Sequence, residues 1–180
     1  MTTTSNTNAN TDADARLDGP WPPQAMDDWV PHRGAMSLLS GVDRIEDQSV
    51  VAHVVVPVGG LFATPDGVPS WVGIEYMAQA IAAWSGARAR AGGGSPRIGF
   101  LLGSRRYEAS VPVFAPGALL RVSAQCELIA DNGLGMFECR ITHDDRVLAT
   151  GRLSVFEPTT EDAALQGSRP PGVTGEGQQR

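Results

Sequence analysis

The chain has 180 residues, 42% of them apolar, and a formal net charge of −6. That is one ordinary domain with enough apolar content to bury a core, and its charge balance excludes a general nucleic-acid binder, which needs clustered positive charge. All 14 cations are Arg, the cation suited to two-point contact with phosphate or carboxylate.

The N-terminal stretch MTTTSNTNANTDADAR has neither a basic start nor an apolar run, so no secretory leader is expected. The longest apolar stretch, around Met77 to Trp84, is too short to span a membrane. A cytoplasmic protein is expected, with Cys126 and Cys139 reduced and no nucleic-acid or membrane partner. Residues 1–20 and 159–180 are polar or rich in Gly and Pro, so both are expected to be disordered tails, leaving a folded domain over 21–158.

In chain order, 42–56 is rich in β-branched residues and reads as extended chain, with a turn inside it at DRIEDQ (43–48). The segment SWVGIEYMAQAIAAWSGARARAGGG then predicts a helix from near Trp71 to near Arg90. Pro69 stands just before it, Ser70 is positioned to cap it, and Gly92, Gly93 and Gly94 end it. Apolar residues lie on every side of this helix, so it is expected to be buried. Residues 98–107, 119–130, 135–142 and 147–156 read as strands. One long buried helix and a run of antiparallel strands make an α+β fold, a curved antiparallel sheet wrapped around a long central helix.

Asn132-Gly133 is a signal for a two-residue hairpin loop. With those two residues as the loop, Cys126 faces Cys139 at a non-hydrogen-bonded position. The expected pair is two small apolar thiols rather than a disulfide.

Glu75 and Gln79 interrupt the apolar helix and, four residues apart, share a face. A carboxyl in an apolar setting holds its proton to higher pH and becomes a usable general acid. The alternative is a structural acid hydrogen-bonded to a neighbouring loop.

The segment GLFATPDGVPSWVGIEYMAQA resembles, without a gap from Gly60 to Ala80, the segment leading into the helix of 3-hydroxyacyl-acyl carrier protein dehydratases; Phe62, Pro69, Glu75 and Met77-Ala78-Gln79-Ala80 coincide. Pro31-His32-Arg33 with Met36, Leu38 and Leu39, and Phe114-Ala115-Pro116-Gly117, are similar to two further family segments, with Ala118 where the family carries an acid. The combination PHRGAM, PSWVGIEYMAQAIAAWSG and GFLLGSRRY resembles the ApeP-like branch associated with aryl polyene clusters. The resemblance spans roughly 29–157.

It implies a hotdog fold and loss of water from a 3-hydroxyacyl thioester, in fatty-acid or aryl-polyene-type synthesis. The acyl group would be carried on the phosphopantetheine of an acyl carrier protein, with no metal or other cofactor. It also implies that the active site lies between two chains, in a homodimer or in a heterodimer with a second hotdog subunit. Glu75 would be the acid. Leu61 stands where the family's catalytic histidine is found, so the base must come from elsewhere: His32, or a partner chain. His53 reads as a strand surface position and His143 as a turn residue. The N–H of Ser70 or Trp71 would face the thioester oxygen at the helix start. Gly73, Gln79, Gly99 and Phe100 would line the acyl tunnel. Arg33, Arg97, Arg105 and Arg106 would dock the acidic carrier protein. Two other readings stay open: a non-catalytic subunit that stabilises an active partner, and an acyl thioesterase.

Overall fold

The computed structural model describes residues 34–94 and 97–158. The tails expected over 1–20 and 159–180, together with His32 and Arg33, lie outside the described residues.

Among the described residues eight strands and one long helix form: β1 (Gly41–Ile45), β2 (Ser49–Val55), β3 (Val68–Pro69), α1 (Gly73–Ala91), β4 (Phe100–Ala109), β5 (Val113–Phe114), β6 (Leu119–Ile129), β7 (Leu134–His143) and β8 (Arg146–Phe156). Six of them make one sheet in the order β1-β2-β6-β7-β8-β4, and β3 pairs with β5 apart from it. Every pairing is antiparallel.

The chain enters α1 through a 3-10 turn over Ser70–Val72. Ser70 was expected to cap with its hydroxyl, but no side-chain cap bond forms. The backbone replaces it. The Ser70 N–H donates to the Pro112 carbonyl at 3.0 Å, and the Gly73 N–H closes the turn on the Ser70 carbonyl. At the other end the Gly92 and Gly93 N–H groups take up the Arg88 and Arg90 carbonyls, with Gly93 at φ +75, a conformation that favours glycine.

α1 packs chiefly against β6, β2 and β7. Tyr76, Met77, Ala80, Ile81, Ala83, Trp84 and Ala87 are buried against Val50, Ala52, Val54, Leu120, Val122, Phe137 and Ile141. Full burial of each large apolar side chain stabilises by about 1.5–3 kcal/mol. The Trp84 ring meets Phe137 edge-on at 5.3 Å, its Nε1–H donates to the Glu46 carbonyl at 3.0 Å, and the Arg88 guanidinium stacks 4.7 Å above it. These contacts tie the end of the helix to the β1–β2 turn. That turn is residues 46–48, tighter than the 43–48 expected, because Arg44 and Ile45 still pair with Val51 and Val50.

The helix is not buried all round. Glu75, Ala78, Ala82, Ser85 and Ala89 form a half-exposed stripe. The stripe faces away from the centre of the sheet, and β4, the strand at that edge of it, receives little or no cover from α1. Every residue of β4 is exposed apart from the half-buried Tyr107.

The β6–β7 hairpin corrects the expected cysteine pairing. Its loop is the three residues 131–133, closed by the Ala130 N–H on the Leu134 carbonyl at 2.8 Å, with Gly133 at φ +85. A bulge between Cys126 and Leu128 then shifts the register once more, so Cys139 faces Ala124 and Cys126 faces Phe137. Both cysteines are free. Burial pushes the Cys139 thiol from 9.0 up to about 12. The folded protein therefore holds a proton that the unfolded chain releases near 9.0, and stability falls as pH rises from about 9 toward about 12. We expect Cys139 to resist a thiol reagent in the native protein and to react on denaturation; rapid labelling of Cys139 in the folded state, read by mass spectrometry, would contradict this burial.

Candidate active site

Gln79 is the one buried polar side chain among the described residues, at 0% exposure. Its Oε1 accepts the Leu38 N–H at 2.9 Å, and its Nε2 donates to the Met36 carbonyl at 2.7 Å and to Glu75 Oε1 at 2.9 Å. These partners fix the orientation of the amide, nitrogen toward two acceptors and oxygen toward a donor. Gln79 thus clamps the chain at 36–38 onto the helix and holds the Glu75 carboxyl from one side.

Glu75 is half-buried and opens into a cleft of about 600 Å³. The helix stripe of Glu75, Ala78, Ala82, Ser85 and Ala89 makes one wall; Phe100, Leu101, Ile129, Phe137, Val155 and Phe156 make the other. From Glu75 to Ser85 the helix runs about 15 Å. The far end is polar: the Ser85 hydroxyl donates to Glu157, and Arg97 approaches the same carboxylate at 3.9 Å. A carboxyl at one end of a long slot walled by apolar side chains is an arrangement for proton transfer beside an extended apolar substrate.

The expected site residues divide. Gly99 and Phe100 line the cleft with Glu75. Gln79 does not, being a buried clamp, and neither does Gly73. Gly73 opens no tunnel, because a Cβ there would lie 2.4 Å from Tyr107 Oη, 2.9 Å from Ile141 Cδ1 and 3.2 Å from Phe114 Cζ. The space is filled, and glycine permits the close approach. Of the two candidate oxyanion donors, the Ser70 N–H is committed to the Pro112 carbonyl. Trp71 remains; the residue is 60% exposed and its ring meets Phe62 edge-on at 5.7 Å.

Leu61, at the position of the family histidine, is exposed. Neither described histidine lines the cleft: His53 Nδ1 pairs with Asp43 Oδ1 at 2.6 Å, and His143, the last residue of β7, bonds the Leu119 carbonyl at 2.9 Å. Arg97 lies at the polar end of the cleft. Arg105 sits at a bulge of β4, and Arg106 pairs with Glu108 at 2.8 Å. Arg97 precedes β4, whereas Arg105 and Arg106 lie within it.

One residue escaped the sequence reading. The Tyr107 hydroxyl, on β4, donates to the Ser70 carbonyl, and burial pushes its phenol up to about 12. The ring has its room because of Gly73 on the helix and Gly151 across the strand, whose added Cβ would lie 3.3 Å from Tyr107 Cδ2. Two glycines far apart in sequence make this slot, which no local pattern signals.

Among the described residues, no cluster of His, Cys, Asp or Glu is placed to hold a metal, and no helix is long and apolar enough to cross a membrane.

An antiparallel sheet wrapped on one long helix, with a carboxyl at the helix start facing a cleft, defines a hotdog-fold protein. Solved structures agree. A hypothetical thioesterase with coenzyme A from Streptococcus pneumoniae TIGR4 matches at TM-score 0.51 and 12% identity, covering 64% of this chain and 83% of that one. The PaaI protein of the E. coli phenylacetic acid degradation operon matches at TM-score 0.51 and 12% identity, covering 66% and 78%. Both show the fold alone. The dehydratase heterocomplex ApeI:P from Xenorhabdus doucetiae matches at TM-score 0.71 and 34% identity, covering 80% of this chain and 97% of that one. No curated protein sequence matches the chain. The family model ApeP-like, described as ApeP dehydratase, matches residues 24–166, and the chain belongs to that family. A dehydratase role follows from this membership.

Proposed function

We propose that this chain is the Glu75-bearing subunit of a heterodimeric dehydratase that converts a 3-hydroxyacyl thioester on acyl carrier protein to the trans-2-enoyl thioester. The observation that carries the reading is the Gln79 clamp, which holds Glu75 at one end of the cleft and fastens the chain at Met36 and Leu38 beside it. Met36 follows His32 by four residues in the sequence.

In the reaction the base, assigned to His32, removes a C2 proton. Charge moves onto the thioester oxygen, met by the Trp71 N–H at the positive end of α1. The C3–O bond breaks as Glu75 delivers its proton, and water leaves. The electron pair of the C2–H bond becomes the C2–C3 double bond. The acyl tail lies along the helix stripe toward Ser85, past Gly99 and Phe100. Arg97, Arg105, Arg106 and Arg33 face the acidic carrier protein.

The partner is a second hotdog subunit of the ApeI kind, seated on β4. Support comes from the ApeI:P match and from the strand itself: β4 is an edge with Phe100, Leu101 and Leu102 at 52%, 40% and 60% exposure. An unprotected apolar edge is a template for strand addition.

The test is to co-purify the chain with an ApeI-type subunit and follow a 3-hydroxyacyl-carrier protein by enoyl absorbance and mass spectrometry. Enoyl product at equal loss of 3-hydroxyacyl substrate is the expected result. Free acid without enoyl thioester would make the protein a thioesterase, and undiminished turnover by His32→Ala would remove His32 as base.

A further inference from the structure

We infer that Tyr107 is a positioning residue that couples occupancy of the β4 edge to the geometry of the Ser70–Val72 turn, so that the partner subunit switches the oxyanion donor into place. The inference rests on the proposed dehydratase reading and extends it to how the partner controls the site.

Tyr107 is the one residue of β4 that is half-buried; the rest of the strand is exposed. Its ring crosses from the edge strand to the start of the helix, in the slot left by Gly73 and Gly151. There its hydroxyl donates to the Ser70 carbonyl. The Ser70 N–H is held in turn by Pro112, just beyond β4. Both backbone polar groups of Ser70 are therefore fixed by the segment that begins with β4, while the next residue, Trp71, carries the candidate donor.

Among the described residues β4 is paired on one side only, by β8, and its outer edge carries no strand; a strand held from one side opens more readily than one held from both. A strand added to β4 fixes it, and Tyr107 passes that constraint to the turn. The high phenol pKa, about 12, keeps the hydroxyl a donor across the whole neutral range. A displacement of about 1 Å at an oxyanion donor is enough to lower turnover about 100-fold.

The experiment compares wild type with Tyr107→Phe, each in complex with the ApeI-type subunit. Tyr107→Phe should lower kcat about 10- to 100-fold with little change in KM, in a complex of unchanged stoichiometry. Hydrogen exchange supplies a readout that does not need turnover. In the wild type, adding the partner should slow exchange both in the β4 peptide and in the peptide covering 70–72. In Tyr107→Phe, protection should reach β4 and fail to reach 70–72. Equal protection of both peptides in the variant, or no partner effect on 70–72 in the wild type, would overturn the coupling. A wild-type complex that makes no enoyl product would instead sink the dehydratase reading and leave the exchange comparison to decide the coupling.

Discussion

Glu75→Gln in the two-subunit complex is expected to lower kcat for dehydration by about 10²–10⁴-fold, the usual contribution of one general acid. Folding should survive the change. Glu75 is half-buried on the wall of an open cleft, so an uncharged amide of the same shape fits without a cavity. The Gln79 Nε2–H now bonds Oε1 of a carboxyl and would find an amide oxygen in the same place. A shift in thermal midpoint of no more than a few degrees is therefore expected, equivalent to about 0.5–1 kcal/mol. KM should stay close to the wild-type value, because the proton is needed only as the C3–O bond breaks. Full turnover by a folded Glu75→Gln complex would assign the acid to the partner subunit and reduce Glu75 to a structural group.

The fold was largely legible because its main element is long. Nineteen residues of α1 carry a Pro at one end and three glycines at the other, and the apolar content between them admits little else. The strands followed from β-branched runs, and their ends fell within a few residues of those expected. Short pairings were not legible. β3 and β5 are two residues each, too brief for any periodicity, yet they anchor the helix start through Ser70 and Pro112. Register was lost for a different reason. Asn132-Gly133 does mark the turn, but a third loop residue and a bulge after Cys126 each slide the pairing by one, and neither leaves a mark in composition.

The site was legible at Glu75 and obscure in its surroundings. A lone acid in an apolar helix stands out by chemistry alone. Whether Gln79 four residues on faces a tunnel or a backbone cannot be read from spacing, since both lie on the same side of the helix. Gly73 misled in a similar way: a missing side chain reads as open space, whereas here it marks contact with Tyr107. Contacts between segments distant in sequence decide both cases.

Gln79→Leu tests the clamp directly. Leucine fills much of the same volume but leaves the Leu38 N–H, the Met36 carbonyl and one side of Glu75 without their partner. An unmade bond to a buried group costs about 1–3 kcal/mol, and both backbone groups are only part-buried, so the sum should be about 2–4 kcal/mol. For a chain of this size that lowers the thermal midpoint by about 5–15 °C. Turnover should fall further than the lost stability explains, because the chain that follows His32 is released from the helix as Glu75 loses its support. Gln79→Glu separates packing from hydrogen bonding. An ionised carboxylate at 79 faces the Met36 carbonyl and Glu75 Oε1 with no proton to donate, and a protonated one restores a donor. Its folded-state pKa must therefore rise above the unfolded value of about 4.3, so the variant loses stability as pH climbs through that window. Thermal midpoints of Gln79→Glu and wild type should converge toward about pH 5 and separate toward about pH 8. A constant gap across that range would mean that the amide is filling space at 79 rather than holding Glu75 in place.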